Sequence, residues 1–167
     1  MHRTYRVPFR RRREQKTDYR FRLKILRAGM PRVVVRKTNR NVIVQIAEFD
    51  PKGDRITVSA TGFELKKKFG YVGNADTTPA SYLAGYLAGK RALKQDIKNA
   101  VLDIGMNAPA KGARVFAALK GLLDAGLEIP HQSEVLPDDT RIHGNHLKNF
   151  DTAQIETIKK KIDEGGA

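Results

Sequence analysis

The sequence predicts an α/β fold, a mixed sheet in β-β-β-α-β-α order, with a basic N-terminal arm in front and a C-terminal extension behind. Three observations lead there. Apolar and polar residues alternate with period two between about 32 and 61, and a short apolar run returns at 100–105. Helical periodicity fills the stretches between and after these runs. The charge is lopsided: residues 1–40 hold fifteen Lys or Arg against two acids, a net +13, and the rest holds seventeen against sixteen, a net +1, within a chain total of +14. The expected parts are therefore a basic arm and helix (1–30), an α/β domain (31–130) and an extension ending in a helix (131–167).

At the N-terminus, Pro8 and the block Arg10-Arg11-Arg12-Arg13 predict an extended lead, disordered when free. From about Thr17 the spacing changes. Tyr19, Leu23, Leu26 and Met30 recur on one face of a helix, while Arg20, Arg22, Lys24 and Arg27 spread over the others. Gly29 and Pro31 supply its stop.

A β-meander follows. "RVVVRKT" (Arg32–Thr38) and "VIVQIAEF" (Val42–Phe49) flank Asn39-Arg40-Asn41, whose asparagines tolerate positive φ. "DPKGD" is a turn. "RITVSAT" (Arg55–Thr61) then alternates, with Ile56, Val58 and Ala60 on one face. The middle strand is apolar on both faces, which predicts a central strand covered on both sides.

"FELKKKFG" reads as a short helix before the glycine-rich loop "GYVGNADT". Thr78 and Pro79 suit the N-cap and first position of a long helix running to about Asn99. "AVLDIG" (Ala100–Gly105) is a buried strand, and "RVFAALKGLLDAG" (Arg114–Gly126) is a helix closed by Gly126. A strand that returns parallel after a helix calls for a crossover, with helices packed on the sheet. Beyond "LEIP" the chain is polar and turn-rich until a last amphipathic helix, Asp151–Glu164, with Ile155, Ile158 and Ile162 inward. The pattern predicts an appendage there, dispensable for folding.

Several function classes drop out. The absence of cysteine excludes a disulfide framework and thiolate chemistry. No apolar h-region follows the basic N-terminus, and no run approaches the roughly 18 apolar residues of a membrane span, so the reading is a soluble, intracellular chain with no membrane partner. "GYLAGKR" (Gly85–Arg91) has one residue too few between its glycines for a phosphate loop, has Arg91 where Ser or Thr belongs, and falls inside a helix. Its small residues instead predict a close approach between helices. His143 and His146 are three apart but lack cysteine or acidic company at ligand spacing, so they cap, pack or touch RNA, and no metal site is expected. The first strand carries no acid, which argues against a two-metal nuclease, and Asp103 reads as a strand-end hydrogen-bond acceptor. No catalytic site and no cofactor are expected.

The cations form the positive signal. Arg3, Arg6, Arg10, Arg11, Arg12, Arg13 and Lys16 would repel one another unless an anion accepted them. Tyr5, Phe9, Tyr19 and Phe21 interleave with the arm's cations, and such aromatics can stack on unpaired bases. Arg36, Lys37 and Arg40 gather at the first hairpin with Asn39 and Asn41. Lys66, Lys67 and Lys68 form a second patch. Lys111 and Arg114 form a third, beside a helix N-terminus suited to a phosphate. A polyanionic partner, RNA, follows from these.

The stretches "YRVPFRRRREQKTDYRFRLKIL", "PRVVVRKTNRNVIVQI", "TPASYLAGYLAGKRAL", "AVLDIG" and "KGARVFAALKGLLDAGLEIP" together resemble the archaeal and eukaryotic form of the ribosomal protein L-eighteen family. The resemblance covers nearly the whole chain, and the "IPHQSEVLPDDTRIHGNHL" segment with its short tail resembles archaeal members. It implies a ribonuclease-H-like topology without catalysis, and binding to 5S ribosomal RNA. It also implies attachment of that RNA to 23S RNA in the central protuberance, beside neighbouring large-subunit proteins including the other 5S-binding protein. The family's RNA-contacting arm falls on Tyr5–Arg27 and its hairpin on Arg36–Asn41, whereas the loop "GYVGNADTT" is expected to make no contacts. Two rival readings stand beside this one. A metal-dependent nuclease would cleave labelled RNA with Mg²⁺ or Mn²⁺, and a free RNA chaperone would bind many RNAs alike.

Overall fold

Pairing of the backbone joins β1 (Arg32–Lys37), β2 (Val42–Glu48) and β3 (Arg55–Thr61) in an antiparallel meander, with Val35 opposite Val44 and Val44 opposite Ala60. In this computed structural model, which describes residues 6–148 and 150–166, a short fourth strand β4 (Val101–Asp103) lies parallel to β1, so the sheet order is β3-β2-β1-β4. The N-terminal helices are α1 (Arg10–Arg13) and α2 (Tyr19–Leu26). Between β3 and β4 run α3 (Gly62–Phe69) and α4 (Thr78–Leu93), and α5 (Arg114–Ala125) follows β4. The extension contributes α6 (Asp139–Ile142) and α7 (Gln154–Lys161).

One face of the sheet, built from Val33, Val35, Val42, Val44, Ile46, Val58 and Ala60, is buried under the helices. Strand alternation explains which residues those are. The other face is only partly covered, since Ile43 and Gln45 are half-buried. β2 is thus central in the sheet but not covered equally on both sides. Ile56 was expected beside Val58 in the core, yet it is 53% exposed. The register shifts between Ile46 and Ala47: Ile46 faces Val58 but Ala47 faces Ile56. This bulge leaves Thr57 as the extra residue and turns Ile56 away from the core.

The loop between β1 and β2 also differs from expectation. Neither Asn39 nor Asn41 has positive φ. Instead Thr38 closes the turn: its Oγ1 accepts from the amides of Arg40 (3.3 Å) and Asn41 (3.0 Å), and its own amide donates to the Asn41 carbonyl at 2.8 Å. α4 is capped by Thr77 rather than Thr78, because the Thr77 hydroxyl is anchored by the Asn74 carbonyl (2.9 Å) and accepts from the Ala80 amide. It ends at Leu93, not Asn99, where Asp96 takes φ 57° and the Ile97 amide folds back onto the Ala92 carbonyl.

α4 and α5 pack with almost no side chain between them. A methyl on Gly85 would overlap the Ala118 carbonyl, one on Gly121 would overlap the Tyr82 carbonyl, and one on Gly89 would lie 2.5 Å from the Ala125 Cβ. The small residues of "GYLAGKR" therefore serve close helix approach. α4 is buried on every side, Tyr82 and Tyr86 included. A helix apolar all round must be enclosed all round. The sheet and α5 cover part of it, and the extension covers the rest.

That last point corrects the picture of the extension as an appendage. Ile142, Ile155, Ile158 and Ile162 are buried within the same hydrophobic core as the sheet. Asp163 accepts from the Tyr86 hydroxyl (2.9 Å) and pairs with Lys90 (2.9 Å), and the Phe150 ring meets Tyr71 at 6.0 Å.

Candidate nucleic-acid interface

The arginine block, expected to be extended, forms one helical turn. The Arg12 and Arg13 amides donate to the Phe9 carbonyl, and Glu14 pairs with Lys16 (2.8 Å) and Arg10 (3.7 Å). Arg11 Nε donates to Thr17 Oγ1 at 2.9 Å. Gln15 at φ 51° breaks the turn, and Asp18 opens α2 by accepting from the amides of Arg20 (2.9 Å) and Phe21 (3.1 Å). Glu14 thus offsets part of the charge at the first helix, and Asp18 caps the second.

α2 does not bury the face its spacing suggests. Ile25 is its buried residue, while Tyr19, Leu23 and Met30 are exposed, as are Phe21 and Phe9. The Phe9 and Tyr19 rings meet at 6.1 Å. The cleft between arm and sheet is lined mainly by charged side chains, Arg32 and Arg36 of β1 with Asp54 and Asp103, and α2 sets Arg22 rather than an apolar stripe against them. The aromatic residues therefore stand in solvent among cations.

A chain of charges ties these parts together. Arg22 Nη2 donates to Asp54 Oδ2 at 2.7 Å, and Arg32 binds the same oxygen. Arg32 Nη1 donates to Asp103 Oδ2 (3.0 Å), and Arg36 donates to Asp103 Oδ1 (2.9 Å) and to the Asp103 carbonyl (2.7 Å). Asp103 is the strand-end acceptor foreseen, and it also takes the Gly105 amide at 2.9 Å. Gly105, at φ 63°, lies directly under the Arg36 guanidinium, where a Cβ would come within 2.8 Å of Cζ. The result is a cleft of about 120 Å³ between arm and sheet, lined by Arg11, Lys16, Arg22, Arg32 and Arg36 over Asp18, Asp54 and Asp103.

The expected cations divide into two groups. Among the described residues, Arg6, Arg12, Arg13, Arg20, Lys24, Arg27, Lys37, Arg40, Lys66 and Lys67 are exposed and have no ion-pair partner. Arg22, Arg36, Lys68, Lys111 and Arg114 are held by Asp54, Asp103, Glu64, Glu134 and Asp76 respectively, Arg10 and Lys16 share Glu14, and the exposed Arg11 bonds only Thr17 among the described residues. Arg114 also donates to the Asp76 carbonyl at 2.6 Å, so it braces a loop. Asn41 Oδ1 accepts from the Phe63 amide at 3.1 Å, which sets the start of α3 and its lysines beside the hairpin loop and leaves Asn39 as the freer amide. Arg3 and Tyr5 lie outside the described residues.

The remaining candidates resolve as structural. Arg91, from the phosphate-loop lookalike, makes a bidentate pair with Glu64 (2.7 and 3.0 Å) and donates to the Ser59 carbonyl. The Arg91 guanidinium, and to a lesser degree Lys68, hold the Glu64 carboxyl down at about 2 against burial. His143 Nδ1 donates to the Asp139 carbonyl at 2.7 Å. Among the described residues no group of three or more His, Asp or Glu could hold a metal, and no helix is long and apolar enough to cross a membrane. Sequence reasoning missed Arg32 and Asp54. Their signal was a charged residue, Arg32, sharing a strand face with Val34 and Arg36, which needs an acid once that face is covered.

Residues 3–99 and 94–132 match the family model described as "Ribosomal large subunit proteins 60S L5, and 50S L18". The chain is also similar to the large ribosomal subunit protein uL18 of Methanococcus maripaludis, at 48% identity over 163 residues, covering 98% of this chain and 82% of that protein.

Proposed function

The chain belongs to the family of large-subunit ribosomal proteins that contains 60S L5 and 50S L18, and from that premise we propose that it binds 5S ribosomal RNA and helps attach it to 23S RNA in the central protuberance. It is a structural constituent of the large ribosomal subunit and not an enzyme. Its neighbours there, in this reading, include the other 5S-binding protein.

The observation that carries the RNA reading is the arm. Apart from Arg10 and Lys16, which share Glu14, its exposed arginines and lysines have no ion-pair partner among the described residues, and its aromatics face solvent beside them. Such a surface suits a partner with phosphates and unpaired bases. Most contacts go to phosphate and ribose, since the major groove of A-form RNA is too deep and narrow to be read. Arg6, Arg10–Arg13, Lys16, Arg20, Lys24 and Arg27 supply the main electrostatic contact, and Lys37, Asn39 and Arg40 at the hairpin, with Lys66 and Lys67, extend it. Arg22, Arg36, Asn41, Lys68, Lys111 and Arg114 contribute mainly by shaping that surface. Arg3 and Tyr5 belong to the same arm by sequence. The parts divide accordingly: 1–30 as arm, 31–130 as RNA-binding body in a ribonuclease-H-like arrangement, and 131–167 as an extension bracing the helices.

Binding to 5S RNA and to an unrelated structured RNA of equal length tests this. The expected outcome is a preference of at least about tenfold, roughly 1.4 kcal/mol. Equal affinities would favour a general RNA chaperone.

A further inference from the structure

We propose that Asp54 is a positioning residue that holds the arm against the sheet before RNA arrives and so fixes the angle between arm and hairpin. This rests on the RNA-binding reading above and adds a residue that would bind no RNA itself.

Among the described residues, the Arg22–Asp54 contact is the one ion pair joining residues 6–30 to the body. α2 adds only the buried Ile25, so little else docks it. An exposed ion pair of this kind is ordinarily weak, because both side chains lose freedom on pairing. Here one side of the pair is already fixed. Arg32, whose side chain is 3% exposed, binds Asp54 and is itself held by Asp103. The carboxylate at 22% exposure is thus an immobile, partly buried acceptor, and only Arg22 has to be ordered. Asp103 carries the same chain of contacts on to Arg36 at the hairpin strand. The arm helix and the hairpin strand are thereby locked in one geometry through Arg22, Asp54, Arg32, Asp103 and Arg36. Arg22 is occupied in that lock, while the neighbouring arm cations remain exposed. If the docked arm is the binding-competent form, apparent affinity scales with its population.

The variants Asp54→Asn and Arg22→Gln, in the full-length protein, test this by amide hydrogen exchange without RNA and by 5S RNA affinity. Arg22→Gln leaves the buried Arg32 pairs intact, so it reports on docking even where Asp54→Asn folds poorly. The expected result is exchange in α2 about tenfold faster in either variant, with β2, α4 and α5 unchanged. Affinity falls about three- to tenfold in each, and the double variant is no weaker than the single ones. Unchanged exchange in α2, faster exchange throughout the sheet, or additive losses of affinity would overturn the proposal. A parent protein without preference for 5S RNA would refute the proposed function instead, and exchange would still decide the role of Asp54.

Discussion

Gly85 and Glu64 show how far a single residue's role depends on what faces it. In an exposed helix, replacing glycine by alanine gains about 1 kcal/mol. At Gly85 the added methyl would meet the backbone of Ala118, which cannot move without separating α4 from α5. Gly85→Ala is therefore expected to destabilise by about 1–3 kcal/mol in a urea titration. A gain in stability would show that the helices part freely. Glu64 makes a prediction in pH. Arg91, with Lys68 adding less, holds its carboxyl at about 2, below the ordinary 4.5, in spite of burial. A depressed carboxyl contributes its stability fully above its unfolded value and loses it as the folded value is approached. Glu64→Gln should thus be less stable by about 1–3 kcal/mol at pH 7. The gap should narrow as pH falls from 4.5 towards 2, where the parent carboxyl is half protonated. A gap that persists at pH 2 would assign the loss to packing.

The extension's terminal helix is the element whose standing changed most. Three isoleucines on one face suggested a light attachment, and truncation after Pro130 was expected to be harmless. Instead Ile155, 1% exposed, and Ile158 belong to the core that holds α4, and Asp163 takes the hydroxyl of Tyr86. Ile155→Ala should cost about 2–4 kcal/mol. Truncation after Pro130 would strip that cover from Tyr82 and Tyr86, and its thermal unfolding is expected to be much lower in temperature or no longer cooperative. A truncated chain melting within a few degrees of the parent would restore the earlier expectation. At the other end, α1 is a single turn and α2 only eight residues, lengths that are marginal alone. Their helicity depends on Glu14, Asp18 and Asp54.

At the scale of the whole molecule, the arm decides how binding responds to salt. Each phosphate neutralised releases counterions, so the log–log slope changes by about 0.7 to 0.9 per contact. Deleting residues 1–16 removes seven basic side chains and one acid, Glu14. If half of those cations meet phosphate, the slope of 5S RNA affinity against salt should flatten by roughly 2 to 3 units. The measurement is a salt series on full-length and shortened protein. An unchanged slope would make the arm a solvated tail. The shortened chain still carries a net +8, with Arg20, Lys24, Arg27, Lys37, Arg40, Lys66 and Lys67 left to meet phosphate, so part of the slope should survive the deletion.

The α/β class with its mixed sheet, the close helix approach at the glycines of α4, the Gly126 stop and the concentration of charge in the arm were legible in the sequence, because each depends on local spacing or on composition. Near neighbours along the chain determine a period, a cap or a charge density. What only the tertiary structure decided involves groups distant in sequence. The bulge that exposes Ile56 depends on the pairing of β3 with β2, and the burial of Ile155 depends on which side of α4 the sheet leaves open. The exposed face of α2 was misread for the same reason. Its spacing marks a stripe, but the surface it meets is set by Arg32, Asp54 and Asp103, which come together from three separate stretches. Periodicity shows that a face is apolar; only the assembled sheet determines whether anything apolar lies opposite it.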